Sequence, residues 1–342
     1  MRFLQYTAIL FLLLLMYPAG ASAQLLPGFG DARSGTSGFQ FLKIGVDARA
    51  AAMGFSSVAD ADDASSLYWN PALAAQAENN QVLLGHTQYF ADIAMNYASY
   101  LHDSGDMAFG GSLHVLDSGE MEETTEFNRT GTGRNFRTIH LAAGLSFAQE
   151  LSSLFSYGVT LKYLNERIEE VSTQSAVLDV GFYYRIGDTG LRFAVGLNSF
   201  NPIDAEPGGE TRRRGGPTEG DDKDEDGFII VDNFESISPP TTFILGTAYD
   251  VIENSSITVT VTGQLTNPAD AQEEISFGTE LDYLNRFFVR GGYEFGVDEA
   301  RLPSFGAGFN FPLYNYGIRA DYGFNSREFL GSMHRISLRF DL

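Results

Sequence analysis

The chain of 342 residues contains no cysteine, which excludes both a disulfide framework and a lipid anchor attached at a processed cysteine. Basic residues are scarce: 22 Lys and Arg stand against 44 Asp and Glu, a formal charge of -22. A field of that sign repels a phosphate backbone, so nucleic acid is excluded as a partner. Long apolar runs are missing after the first residues, and no later stretch approaches the roughly 20 apolar residues that a membrane-crossing helix needs. Residence in a membrane therefore requires strands. Tryptophan occurs once, at Trp69. The histidines, His86, His102, His114, His140 and His334, are scattered without metal-ligand spacing, and no Gly-x-Ser-x-Gly elbow occurs. The expectation is a protein that is not an enzyme.

What is present is alternation. Ile336, Leu338, Phe340 and Leu342 share one face of the last segment, while Arg335, Ser337, Arg339 and Asp341 share the other. The same period of two puts Val289, Gly291, Tyr293 and Phe295 opposite Arg290, Gly292 and Glu294. It also puts Tyr316, Ile318, Ala320, Tyr322 and Phe324 opposite Arg319 and Asp321. One face suits outer-membrane lipid and the other a wet lumen. A mean hydropathy of -0.10 is what such alternation averages to, and 28 Phe, 16 Tyr and 37 Gly suit aromatic girdles and many short strands.

Arg2, the apolar run Ala8 to Met16 and the small residues Ala21-Ser22-Ala23 form a secretory signal peptide over residues 1–23. From residue 81 to 342 about fourteen strands are expected, starting near Val82, Ile93, Met107, Thr138, Phe155, Ala176, Leu191, Thr242, Ser256, Ile275, Phe287, Ser304, Tyr316 and His334. The expected fold is all-β, a transmembrane antiparallel β-barrel in the cell outer membrane. Its long outer loops, 117–136 and 201–240, are the third and seventh connections, on the side where long loops belong. Tight turns at Asp188-Thr189-Gly190 and Asn285-Arg286 fall on the other side.

Residues 24–80 have a different character, rich in Ala and Gly, with short helices expected over Ala48 to Gly54 and Ala64 to Ala77. A barrel of this size has room for such a segment, which is expected to plug the lumen. Within it, Asp47 and Arg49 are placed to pair with lumen charges, and Met53-Gly54 allows a tight turn. Asn70 before Pro71 begins a new turn, with Pro71 at its first position and the Asn side chain free to cap it. That motif reads as a structural anchor of the plug ahead of a direct ligand contact.

The words Gly38-Phe39-Gln40-Phe41-Leu42-Lys43-Ile44-Gly45-Val46-Asp47-Ala48-Arg49-Ala50-Ala51-Ala52-Met53-Gly54 and Asp62-Asp63-Ala64-Ser65-Ser66-Leu67-Tyr68-Trp69-Asn70-Pro71-Ala72 resemble the amino-terminal signature of the PorV/PorQ family. That family lies in the wider FadL-like group of outer-membrane barrels. The resemblance implies a fourteen-stranded wall, an amino-terminal segment tucked into the lumen, and Phe41, Asp47, Arg49, Met53, Gly54, Trp69, Asn70, Pro71 and Ala72 as its motif residues. Phe55 departs from the pattern, since many relatives carry a small residue there. The implied role is in the type IX secretion system, as a noncatalytic adaptor or shuttle between the translocon, a sortase and cargo bearing a C-terminal sorting domain. The alternative within the wider group is a FadL-like transporter of hydrophobic small molecules.

A second motif lies in the seventh connection. Asp222, Asp224 and Asp226, followed by Gly227, have the opening spacing of a calcium loop, but Asn233 stands where a bidentate Glu completes one. The run reads either as a Ca2+ site or as a solvated acidic loop; no other cofactor is expected.

Overall fold

The computed structural model describes residues 35–342, apart from 92, 169–170, 188, 202–204, 206, 209–210, 214–228, 232–234, 297–299, 314–315 and 330. The signal peptide and Asp222, Asp224 and Asp226 lie outside the described residues.

Fourteen antiparallel strands form the wall. The first seven are β1 (Gln81–Gln88), β2 (Ala94–Asp103), β3 (Met107–Asp117), β4 (Thr138–Ser152), β5 (Phe155–Ile168), β6 (Val171–Arg185) and β7 (Leu191–Phe200). The rest are β8 (Thr242–Glu253), β9 (Ile257–Pro268), β10 (Glu274–Tyr283), β11 (Phe287–Phe295), β12 (Ala300–Leu313), β13 (Tyr316–Arg327) and β14 (Gly331–Asp341). Each strand pairs with its sequence neighbours, and β1 closes the sheet on β14 with Val82 opposite Phe340 and Leu84 opposite Leu338. Closure leaves the wall without an edge, the condition for burying a sheet in lipid.

The pleat sorts the side chains as the alternation demands. Ile336 and Leu338 are exposed on the outer face, and Arg335, Ser337, Arg319 and Asp321 are buried inside. Phe277, Val289, Phe305 and Phe311 likewise turn outward, each more than half exposed, which is stable only in apolar surroundings.

Three strand starts differ from expectation by more than one residue. β6 begins at Val171, not Ala176, because its ladder with β5 runs on to Ile168 opposite Val171. β12 begins at Ala300 through register shifts that its alternation hides, and β14 begins at Gly331. The turn after β10 is centred on Leu284 and Asn285, with φ of 59° and 51°, one residue before the expected position. Both central residues are left-handed, as in the hairpin turn whose twist suits antiparallel strands.

The segment before β1 lies against the inner face. It contains the helices α1 (Ala48–Ala52) and α2 (Ser66–Trp69) and 3-10 turns at Gln40–Lys43 and Pro71–Gln76. The single helix expected over Ala64 to Ala77 is interrupted at Asn70, where φ of -160° and ψ of 105° are extended backbone, as a residue before proline prefers. Ala-rich α1 and the Pro71–Gln76 turn press closely on the wall. Val46, Leu67, Trp69 and Leu73 form one core with the inward side chains of Leu83, Tyr97, Leu101 and Ile244. Phe39, Phe41 and Leu42 form a second with Ala142, Leu164 and Val177.

Candidate functional site

The inner contacts start at α1. Asp47 caps it by accepting the Ala50 N–H (2.8 Å), and its other oxygen accepts the Trp69 indole N–H (2.7 Å). Burial, with the charge of Asp63 beside it, pushes the Asp47 carboxyl up to about 6 against these hydrogen bonds and Arg49. The sequence reading paired Asp47 with lumen charges; its hydrogen bonds go instead to α1 and Trp69, within its own segment. The Ala48 N–H donates to Ser337 Oγ of β14 (2.7 Å), and Asn325 of β13 donates to the Ala51 carbonyl (2.8 Å).

Arg49 reaches across the lumen. Its guanidinium holds Asp60 at 2.6 Å and Glu280 of β10 at 3.0 Å, with Asp62 at 3.6 Å. Glu280 also accepts from Arg290 of β11, which donates to Asp321 of β13 at 2.6 Å. Arg319 joins Asp62 (3.0 Å) to Asp321 (3.1 Å), and Arg339 joins Asp62 (3.6 Å) to Asp341 (3.3 Å). At the other flank Arg192 of β7 bridges Asp60 (3.0 Å) and Asp250 of β8 (2.7 Å). Asp60, Asp62, Glu280 and Asp321 each face more than one guanidinium, so their charge is shared in a network and not balanced pair by pair. Alternation had put Arg290, Arg319 and Asp321 in the lumen. The partnership of Arg49 with Glu280, 231 positions apart, carries no local signal.

Met53 and Gly54 make the expected turn. Gly54 has φ of 62°, and a Cβ there would meet the Tyr293 backbone nitrogen at 2.8 Å, so the turn lies directly on β11. Phe55 follows in the left-handed region at φ of 61° and lays its ring near Trp69, with centroids 6.1 Å apart.

Asn70, Pro71 and Ala72 sit on bare backbone. A Cβ on Gly181 of β6 would lie 1.9 Å from Asn70 Oδ1, and one on Gly158 of β5 would lie 2.4 Å from the Pro71 carbonyl carbon. Asn70 accepts the Ala72 N–H (3.1 Å) and donates to the carbonyls of Val58 (3.1 Å) and Phe182 (3.2 Å). Ser156 Oγ donates to the Ala72 carbonyl at 2.8 Å. The motif therefore caps its own turn and docks it to β5 and β6.

Beyond the plug, toward the rim with the long connections, lies a cavity of about 800 Å3. Phe41, Leu42, Ile44, Phe55, Trp69 and Phe90 line part of it, and Asn198, Gln264, Glu294 and Arg335 another part. Phe41 is buried with its ring 5.3 Å from His114 and 5.6 Å from His140. His140 faces Glu166 at 2.6 Å, and the other Glu166 oxygen accepts the Phe39 N–H at 3.2 Å. Among the described residues no cluster of His, Asp and Glu is arranged for a metal ion. The structure thus brings Phe41, Asp47, Arg49, Met53, Gly54, Trp69, Asn70, Pro71 and Ala72 together inside the wall. Glu280 and Asp60, which were not singled out from the sequence, complete that interior with Asp62 of the family signature and Arg335 of the inward face.

Residues 29–200 match the family model described as Type IX secretion system protein PorV. The chain belongs to the PorV family. This PorV-family barrel is accordingly an outer-membrane component of the type IX secretion system. Solved structures share its fold. The Pseudomonas putida toluene transporter TodX aligns over 86% of this chain and 97% of its own, with a TM-score of 0.58 and 18% identity. The Ralstonia pickettii toluene transporter TbuX gives the same coverage at 0.56 and 11%. A Pseudomonas aeruginosa FadL homologue covers 87% of this chain and 99% of its own at 0.51 and 12%. No curated protein matches the sequence.

Proposed function

We propose that this PorV-family barrel is a noncatalytic adaptor that receives exported protein at its outward rim and passes it on at the cell surface. The observation that carries this reading is the filled interior. The amino-terminal segment is bound to the wall by buried ion pairs at Arg49 and Asp60 and by close backbone contact at Asn70–Ala72. A wall plugged so firmly favours work done at its rim and loops over bulk passage through its centre. The partners this role calls for are a translocon barrel, a sortase and cargo with a C-terminal sorting domain.

A second reading, uptake of hydrophobic small molecules, is favoured by the apolar part of the outer cavity and by fold neighbours described as toluene transporters. The deciding experiment is affinity purification of the tagged chain from gently solubilised native outer membranes, with mass spectrometry of every co-purifying chain. Recovery of a large translocon barrel, a sortase or sorting-domain proteins is expected. A lone barrel carrying small apolar ligand overturns the adaptor role in favour of uptake. The calcium reading of Asp222, Asp224 and Asp226 stays a separate proposal, tested by calcium titration of the full chain against its Asp224→Asn variant.

A further inference from the structure

The outward face of the wall changes character around its outer rim. At the outer ends of β8 and β11 the residues turned toward lipid are Phe243 and Phe295. At the seam of β13, β14, β1 and β2 they are Tyr322, His334, Gln88, His86 and Asn96, all exposed. Register makes these five contiguous, with Gln88 opposite His334 and His86 opposite Asn96. His86 Nδ1 pairs with Asn96 Oδ1 at 2.8 Å, and His334 Nδ1 with the Tyr322 hydroxyl at 2.7 Å. Among the described residues no side chain engages either imidazole Nε2 or the Gln88 amide. Polar groups on a lipid-facing surface are costly unless something pairs with them.

The patch lies at the polar margin of the membrane and not above it. β1 has 8 residues, short of the roughly 9–11 that a strand needs to cross a bilayer, so Gln88 at its outer end cannot stand clear of the lipid head groups. The connection that follows is a tight turn, in which the Tyr89 N–H donates to the Ile93 carbonyl at 2.9 Å.

Directly below Asn96 an apolar groove of about 720 Å3 opens on the same outer surface. Ala98, the next outward residue of β2, begins it. Gly111 and Ala143 give it depth, and Tyr100, Leu145 and Leu161 stand around it, each at least 45% exposed. A Cβ on Gly111 would meet nothing nearer than the Gly144 carbonyl oxygen at 4.0 Å. The ladders behind the groove are unbroken, with Tyr100 opposite Gly111 and Gly111 opposite Leu145, so the groove is separated from the lumen by the wall itself.

A polar patch in the head-group layer that continues into an apolar groove matches an amphiphile lying along the wall. Its polar part is not built for phosphate, which calls for Arg or Lys and is repelled by a chain of charge -22. Imidazole, amide and phenol offer donors and acceptors side by side, as a hydroxyl requires. We propose that this seam binds one outer-leaflet glycolipid from the membrane side, its saccharide hydroxyls on His86, Gln88 and His334 and one acyl chain in the groove over Gly111. The site is independent of the plug and of the export role.

The purified full chain is incubated in detergent with equimolar dioleoyl lipids bearing a glucosyl, a phosphocholine or a phosphoglycerol head group, and native mass spectrometry counts the adducts. One glucosyl lipid per chain is expected, retained about 10-fold over either phospholipid, the worth of one or two net hydrogen bonds. The double variant His86→Leu, His334→Leu is expected to lose that preference while still taking up lipid. Gly111→Leu fills the groove without a clash and is expected to lower glucosyl-lipid retention about 10-fold. Equal adducts for the three lipids, a preference for a phospholipid, or a double variant that keeps the glucosyl preference overturns the proposal. If a variant does not fold, the competition among lipids on the wild-type chain still decides.

The chain has no cysteine of its own, so Ala94→Cys, opposite Gln88, carries a single benzophenone label to the patch in native outer membranes. Irradiation is expected to give a glycolipid adduct. A protein adduct instead overturns the proposal in favour of a protein seated on this face.

Discussion

Helix α1 and the Asn70–Ala72 turn press on different arcs of one wall, and they hold by different chemistry. At β10 to β14 the contact is charged: Arg49, Glu280, Arg290 and Arg319 share carboxylates in a space that excludes most water. At β5 and β6 it is neutral, with Asn70 and Pro71 lowered onto Gly181 and Gly158 and tied by amide and hydroxyl hydrogen bonds. Charge reaches far and tolerates imprecise fit, but it leaves a large penalty if one member is lost. Close backbone approach tolerates nothing larger than hydrogen, yet losing one hydrogen bond there costs little more than that bond.

The comparison breaks most visibly at Glu280. Glu280→Gln leaves Arg49, Arg290 and Arg319 short of a shared carboxylate, and thermal unfolding followed by gel mobility should show a loss of about 3–5 kcal/mol. An unfolding temperature equal to wild type would mean that the charged arc contributes no hold.

Asp47 tests the electrostatics with a sign. Its folded-state value near 6 lies above the ordinary 3.8. The folded protein therefore binds the extra proton between those limits, and this group's contribution to stability grows as pH falls from about 6 to 3.8. Above that window the cost of the buried charge, at most about 3 kcal/mol, is fully present. Asp47→Asn removes the charge and keeps a cap, so the wild-type-minus-variant difference in unfolding temperature should become more favourable to wild type as pH is lowered from 7.5 to 5. A difference independent of pH would show that Asp47 is already charged throughout.

The neutral arc should respond least. Asn70→Ala removes the cap of the Pro71–Gln76 turn and two carbonyl partners, for an expected loss of about 0.5–2 kcal/mol and a shift in Trp69 emission. A loss as large as that of Glu280→Gln would erase the distinction between the arcs.

Much of the wall was legible because a strand repeats every two residues. The alternation around Arg319 and Asp321, and around Arg335 and Ser337, was enough to assign faces, and the observed register agrees. The Asn-Pro boundary was legible because proline restricts its neighbour and asparagine caps. Two things were hidden. Gly158 and Gly181 read as ordinary strand glycines until something is seen resting on them. Glu280 becomes a partner of Arg49 only when the sheet closes. The family signature marked which residues of the plug belong together, but not which of them carry charge across the lumen.

The order of these contacts along the chain bears on how the molecule is built. Ala48 waits for Ser337, 289 residues later, and Ala51 for Asn325, 274 residues later. Two of the backbone contacts that seat α1 thus have no partner until the last hairpin arrives, and contacts at such separation form late. Before that moment the nascent sheet must stay open along the β1 and β14 edges. Closing the seam and fastening the start of α1 are then one event: the strand that zips the cylinder shut also brings the hydroxyl that accepts the Ala48 N–H.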